Sequence, residues 1–450
     1  MKFEVDKQTK KDLEIFDTIK DGKSVVSLFD RTQCIGGKRK LYGYLSSLLT
    51  DHEEIKARNE SIVFFQKHFP KGMDIDKDSL DFAEYYLRHS SLATKRISRF
   101  VAIEKMFFSK LSQNNEYYMM ETGVMATFKL LKVVHKFSQV MAGKLKENNA
   151  PAYLKKNNEK VLALFNQSEY ADLLAKEKLE FKDITDLDYI FRYANREDTF
   201  FILELIYEYD AFQAIAQTAE EYGFSYPEIL PNEGNSLEIE GLFHPFVEDA
   251  VSNDIKFDKS SNLLFVSGPN MAGKSTFLKA LGVAVYLAHA GLPVPAAKMK
   301  VSALSGLSTT INISDNLNSG YSHFYAEVMR IKDVARKLET NKNMLVLFDE
   351  LFRGTNVKDA YDGTLAIVSA FSRINTSFFI ISTHIVEVAK ELTDNKSIMF
   401  CYFDIKEKDG HPVYTYKLKE GVSEVRLGMY IIRKEGLIDL INSIEVDSRQ

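Results

Sequence analysis

Residues 263–281 leave the chain few folds to choose from. Leu263-Leu264-Phe265-Val266 is a short apolar run suited to a buried strand. It is followed at once by Gly268-Pro269-Asn270-Met271-Ala272-Gly273-Lys274-Ser275-Thr276, after which Phe277, Leu278, Ala280 and Leu281 continue at helical spacing. Strand, glycine-bounded loop and helix in this order predict a cradle for a nucleoside triphosphate. The glycines let backbone N–H groups turn toward phosphates, and Lys274 brings positive charge to the β- and γ-oxygens. Ser275 offers its hydroxyl to Mg²⁺, and the helix adds its positive end. Residues 268–276 are therefore expected to bind ATP.

Such a loop needs an acidic partner, and the apolar run Met344-Leu345-Val346-Leu347-Phe348 delivers Asp349-Glu350 at its carboxyl end. Asp349 is expected to hold Mg²⁺, directly or through water, and Glu350 to polarise the attacking water. A third apolar run, Phe378-Phe379-Ile380-Ile381, ends in Ser382-Thr383-His384, where His384 is placed to sense the γ-phosphate. Lys274, Glu350 and His384 form the predicted catalytic set, and Ser275 with Asp349 the predicted metal site.

Around these motifs the 450 residues divide in texture. From about residue 10 to 225 apolar residues recur at three- and four-residue steps, most clearly at Ile202, Ile206, Tyr209, Phe212, Ala216 and Ala219. This predicts an α-helical body. Pro227, Pro231 and the run Pro-Asn-Glu-Gly-Asn at 231–235 mark a boundary, so the expected domains are 1–230 and 231–450. Beyond it, continuous apolar strands alternate with helices, which predicts an α/β layer with a mostly parallel sheet covered on both faces. An antiparallel hairpin around Gly410-His411-Pro412 is expected at its edge.

Composition narrows the setting. A net charge of −5 supplies no whole-molecule field for nucleic acid. Locally, residues 91–160 hold 13 Lys or Arg against 5 Asp or Glu, interleaved with aromatics such as Phe107, Phe108, Tyr117, Tyr118, Phe128 and Phe137. The run fits either a nucleic-acid face or a solvated helix surface over an aromatic core. Cys34 and Cys401, far apart in sequence, support neither a disulfide framework nor a zinc site. The charged amino terminus and the absence of a long apolar segment predict a cytosolic protein with no membrane partner.

Longer patterns carry a resemblance. Gly268-Pro269-Asn270-Met271 before Ala272-Gly273-Lys274-Ser275-Thr276, then Ala288-His289-Ala290-Gly291 and Val294-Pro295-Ala296, resemble the MutS family of DNA mismatch-repair ATPases, ABC-type P-loop proteins. Ser314 to Phe324 resembles the family's signature loop, with Glu327 continuing into its helix. Arg353-Gly354-Thr355-Asn356, Tyr361-Asp362-Gly363 and Gly421 to Gly428 match further segments, and Leu28-Phe29-Asp30-Arg31-Thr32 looks like the start of the lever or core domain. The resemblance implies a helical lever domain followed by an ABC-type ATPase domain. It further implies a homodimer through the ATPase domains, two shared ATP sites, and Ser322 reaching the partner's nucleotide.

Several departures qualify it. The match starts at the core domain, so the family's mismatch-reading and connector domains are not expected, and the helical part is short for a full DNA clamp. Phe352 stands where the family has Gly, and the loop from Thr355 to Tyr361 is longer. Ala250 stands where an aromatic stacks on adenine, leaving Tyr416 to stack from the other side, with Asn253 nearby as a base contact. Little room follows Gly436-Leu437 for a helix-turn-helix. The leading expectation is an ATP hydrolase acting on DNA without sequence preference, either in a mismatch repair-related role or on branched or recombination DNA. The alternative is an ATP-switched protein-interaction module without DNA contact. A small-molecule phosphotransferase fits less well, because the signature loop and the Gly421 segment serve dimeric ATPases.

Overall fold

The computed structural model describes residues 2–16, 23–88, 115–147, 150–231, 235–257, 260–311, 323–408, 411–423 and 432–442. The first part is helical. It comprises α1 (Lys7–Asp12), α2 (Val25–Phe29), α3 (Ile35–Ser46), α4 (His52–His68), α5 (Lys77–Arg88), α6 (Asn115–Lys144), α7 (Ala152–Phe165), α8 (Ser168–Leu174), α9 (Phe181–Tyr189) and α10 (Arg196–Tyr222). Local chemistry marks the ends. The Asp51 carboxylate accepts the Glu53 and Glu54 amides at 2.9 and 3.1 Å to start α4, and Gly223 at φ 65° ends α10 in the left-handed conformation.

The stripe seen in the sequence of α10 is buried, but so are Leu203, Leu205, Tyr207, Ala211, Ala214 and Ile215. A helix buried on nearly every side runs through the middle of a body. Here α3, α4 and α6 pack around it. In the basic run, Lys129, Lys136, Lys144, Lys146, Lys155, Lys156 and Lys160 are exposed, while Phe128 and Phe165 are buried beneath them. Residues 91–114, with Phe107 and Phe108, lie outside the described residues.

The second part is α/β. A six-stranded sheet runs β10-β9-β4-β8-β7-β6, from β4 (Leu263–Ser267), β6 (Gly306–Thr310), β7 (Met344–Asp349), β8 (Phe378–Thr383), β9 (Ile398–Lys408) and β10 (His411–Glu420). Every neighbouring pair is parallel except the β9–β10 hairpin at the edge. A second, four-stranded mixed sheet, ordered β1-β5-β2-β3, comprises β1 (Glu228–Leu230), β2 (Leu237–Leu242), β3 (Asn253–Phe257) and β5 (Lys298–Ser302). Its short strands, which carry charges on one side, give no continuous apolar run in the sequence. Helices α11 (Lys274–His289), α12 (His323–Thr340), α13 (Val357–Phe371), α14 (Glu387–Leu392) and α15 (Leu437–Asn442) complete this part. No described helix is long and apolar enough to cross a membrane.

Period-two alternation explains why the central strands are apolar throughout. Leu264, Val266, Leu345 and Leu347 enter one core, and Leu263, Phe265, Met344, Val346 and Phe348 enter another on the opposite face. The first core is continuous with the helical body, and α11 joins the two. Gly282 has no side chain because a Cβ there would meet Leu13 Cδ2 at 2.5 Å. Tyr286 donates to the Leu45 carbonyl at 2.6 Å, and Arg58 donates to the Ala290 carbonyl at 2.6 Å while lying 4.1 Å from the Tyr44 ring centroid. His289, fully buried and pushed down to about 4 by burial, is neutral. Its Nδ1 donates to Leu49 O at 2.8 Å and its Nε2 accepts from the Leu304 amide at 3.2 Å. The Ala288-His289-Ala290-Gly291 motif is thus the joint between the parts.

The amino terminus covers the other sheet edge. Glu4 bridges to Gly306, Thr9 Oγ1 accepts the Thr309 amide at 3.0 Å, and Asp12 Oδ2 accepts Thr309 Oγ1 at 2.7 Å and the Ile311 amide at 3.0 Å. This arrangement satisfies an edge strand that would otherwise present open backbone groups. Replacing Asp12 by alanine strands buried donors of Thr309 and Ile311, so stability should fall by about 2–4 kcal/mol. Urea unfolding of parent and variant measures this, and an unchanged midpoint contradicts it.

Candidate functional site

Strands β4, β7 and β8 end side by side, with Ser267 paired to Thr383 and Asp349 to Ser382. Parallel sheets bind ligands at such carboxyl ends. Between β4 and α11 the loop turns through Gly268 at φ 145°, Met271 at 68° and Gly273 at 105°. No side chain caps the start of α11, so its first amides stay available to an anion. Lys274 is buried, with Nζ donating to Gly268 O at 2.8 Å and Pro269 O at 3.1 Å, and 3.6 Å from Glu350 Oε1. Burial lowers its pKa, opposed by Glu350 and Asp349.

Register brings the acidic pair to this loop. Ser275 Oγ donates to Asp349 Oδ2 at 2.5 Å, and Ser382 Oγ donates to Asp349 Oδ1. Ser382 also accepts the Glu350 amide through its carbonyl at 2.9 Å, fixing the turn where the strand ends. The Glu350 carboxylate lies 3.7 Å from His384 Nδ1, 2.8 Å from Arg353 Nε and 3.6 Å from Lys274 Nζ. His384, then Arg353 and Lys274, hold its carboxyl down to about 2 against the opposing effect of burial. The geometry therefore gathers Lys274, Ser275, Asp349, Glu350 and His384.

Backbone strain concentrates here. Met271, Glu350, Phe352 and Tyr416 all have φ between 54° and 68°, a region that costs a non-glycine residue about 1 kcal/mol or more. Phe352 explains its own departure from the expected Gly. It keeps the left-handed backbone at φ 63°, and its buried ring packs 5.5 Å from that of Phe324. Gly363 leaves room for it, since a Cβ there would meet Phe352 Cε2 at 2.8 Å.

A cleft of about 480 Å³ opens beside the loop, lined by His244, Val247, Ala250, Met271, Phe403 and Tyr416 among others. Tyr416 is half exposed at its rim. Asn253 lines the cleft but spends its amide on backbone: Nδ2 donates to Tyr416 O at 3.0 Å, and Oδ1 accepts the Leu418 amide at 2.7 Å. It holds the hairpin irregularity that presents Tyr416. His244, half-buried, is pushed down to about 4 by desolvation and by the neighbouring Lys279 charge.

Ser322, the rest of the 312–322 segment, and 424–428 of the Gly421 segment lie outside the described residues. The sequence reading did not assign Ser382, the Arg353 guanidinium or the Glu327 carboxylate to the site. Ser382 was visible only as part of Ser-Thr-His, because its meeting with Asp349 depends on sheet register.

The profile of MutS domain V matches residues 264–445. Curated relatives include the DNA mismatch repair protein MutS of Persephonella marina, 31% identical over 239 residues, covering 52% of this chain and 27% of that protein. The protein of that name from Chlorobium phaeobacteroides is also 31% identical, over 240 residues, with the same coverage. That from Staphylococcus haemolyticus is 29% identical over 252 residues, 54% of this chain and 28% of the relative. The chain thus spans little more than a quarter of the length of these relatives. Residues 264–445 thus match MutS domain V, and over about half its length the chain is similar to these DNA mismatch repair proteins.

Proposed function

We propose that the chain binds ATP and Mg²⁺ at residues 268–276 and hydrolyses ATP as a dimer. The observation that carries this is the convergence of Lys274, Ser275, Asp349 and Glu350 at the ends of β4 and β7. Gly268 and Gly273, at φ values open to glycine, leave a cradle whose amides face a phosphate chain. Ser275 and Asp349, already 2.5 Å apart, are the oxygen donors a small hard cation requires. Mg²⁺ held by Ser275 and Asp349 would supply positive charge to offset the negative charge developing on the phosphates.

The chain's own groups do the rest. Phosphate oxygens are stronger partners for Lys274 than the Gly268 and Pro269 carbonyls, so substrate draws its ammonium away and frees Glu350 Oε1 to accept from water. His384 and Arg353 stay beside Oε2 and orient the carboxylate. Tyr416 offers one face to the base, and Asn253 positions that ring through its backbone. Ser322 contributes from the partner chain, the residues divide at about 230 into lever and ATPase domains, and hydrolysis moves the helical levers.

DNA is the proposed load. The relatives are named as DNA mismatch repair proteins, and α6 and α7 expose a row of lysines. The second reading, a nucleotide-switched protein-interaction module, draws on the net charge of −5. Binding and ATPase rate measured with duplex, mismatched, junction and single-stranded DNA separate them. The DNA reading predicts affinity falling at least about tenfold between 50 and 200 mM salt. No binding, or binding that ignores salt, contradicts it.

A further inference from the structure

Helix α12 begins at His323, and its first turns rest on the loop after the acidic pair. Gly354 makes the close approach possible, since a Cβ there would stand 2.8 Å from the Phe324 amide nitrogen. Into this joint Glu327 projects a carboxylate on a residue only 5% exposed. Oε1 accepts the Arg353 amide at 3.4 Å and lies 3.5 Å from His323 Nδ1, and the Gly354 amide also favours the charged carboxylate, whereas among the described residues Oε2 has no hydrogen-bond partner. Among the described residues no lysine or arginine forms an ion pair with it, and burial raises its pKa against the weaker opposing effects of His323 and Arg353. A carboxylate buried with so little compensation costs stability, and its presence calls for a reason other than stability.

Arg353 supplies the reason. Its amide is held by Glu327, and its guanidinium is 2.8 Å from Glu350. We infer that Glu327 is a positioning residue for hydrolysis, fixing the Arg353 backbone and thereby the Glu350 carboxylate, so that the geometry of the acidic pair follows the position of α12. The inference rests on Glu350 as the water-polarising residue.

The test uses the full chain and compares Glu327→Met, Glu327→Gln and Glu350→Gln for ATP affinity, kcat and unfolding temperature. Methionine fills the same volume without the buried charge, so the unfolding temperature holds or rises. ATP affinity stays within about twofold, and kcat falls about ten- to a hundredfold. Glutamine keeps an acceptor for the Arg353 amide and restores most of kcat. Parent-like kcat in Glu327→Met, a loss matched by equal unfolding, or glutamine no better than methionine overturns the inference. Parent-like turnover by Glu350→Gln overturns the reading of Glu350 and this inference with it. Slow Glu350→Gln beside normal Glu327→Met overturns the inference alone.

Discussion

Lys274→Ala is expected to weaken ATP binding at least about a hundredfold, because it removes charge-assisted hydrogen bonds to phosphate from a buried site. The loss exceeds that of one contact. Lys274 is a cation within 4 Å of Glu350, and without it the acidic pair faces the triphosphate less compensated. Its Nζ also ties Gly268 O to Pro269 O, so the loop loses an internal strut. Equilibrium titration with a fluorescent ATP analogue reads the effect, and affinity within about threefold of the parent would remove Lys274 from the site.

Glu350→Gln separates binding from chemistry. The amide keeps the size of the side chain and leaves the strained turn at φ 54° intact, so the fold and the phosphate cradle should persist. It can no longer accept a proton from water, and loss of a general base typically costs 10² to about 10⁴ in rate. Affinity for ATP should hold or rise, since a negative charge beside the phosphates is gone. Single-turnover hydrolysis against the same titration gives both numbers.

What the sequence made legible was local. The 268–276 loop was readable because strand, glycines, lysine and helix are contiguous, and the acidic pair because it ends an apolar run. The small sheet was not, because its strands are short and carry charges outward. Glu238 pairs with Lys256 at 3.2 Å, Glu240 with Lys298 at 3.3 Å and Glu228 with Lys300 at 2.8 Å across neighbouring strands. Long-range register hid the partnership of Ser382 with Asp349, and packing hid why Phe352 can replace Gly. Helix α10 shows the same limit, since periodicity predicted a stripe and a helix at the centre of a body is buried on almost every side.

The central claim is that ATP is hydrolysed at the cradle of residues 268–276, and phosphate release by the purified chain, with Lys274→Ala protein prepared identically as the reference, tests it most directly. The account predicts Mg²⁺-dependent turnover by the parent that disappears in Lys274→Ala. Equal phosphate release by both proteins would contradict it.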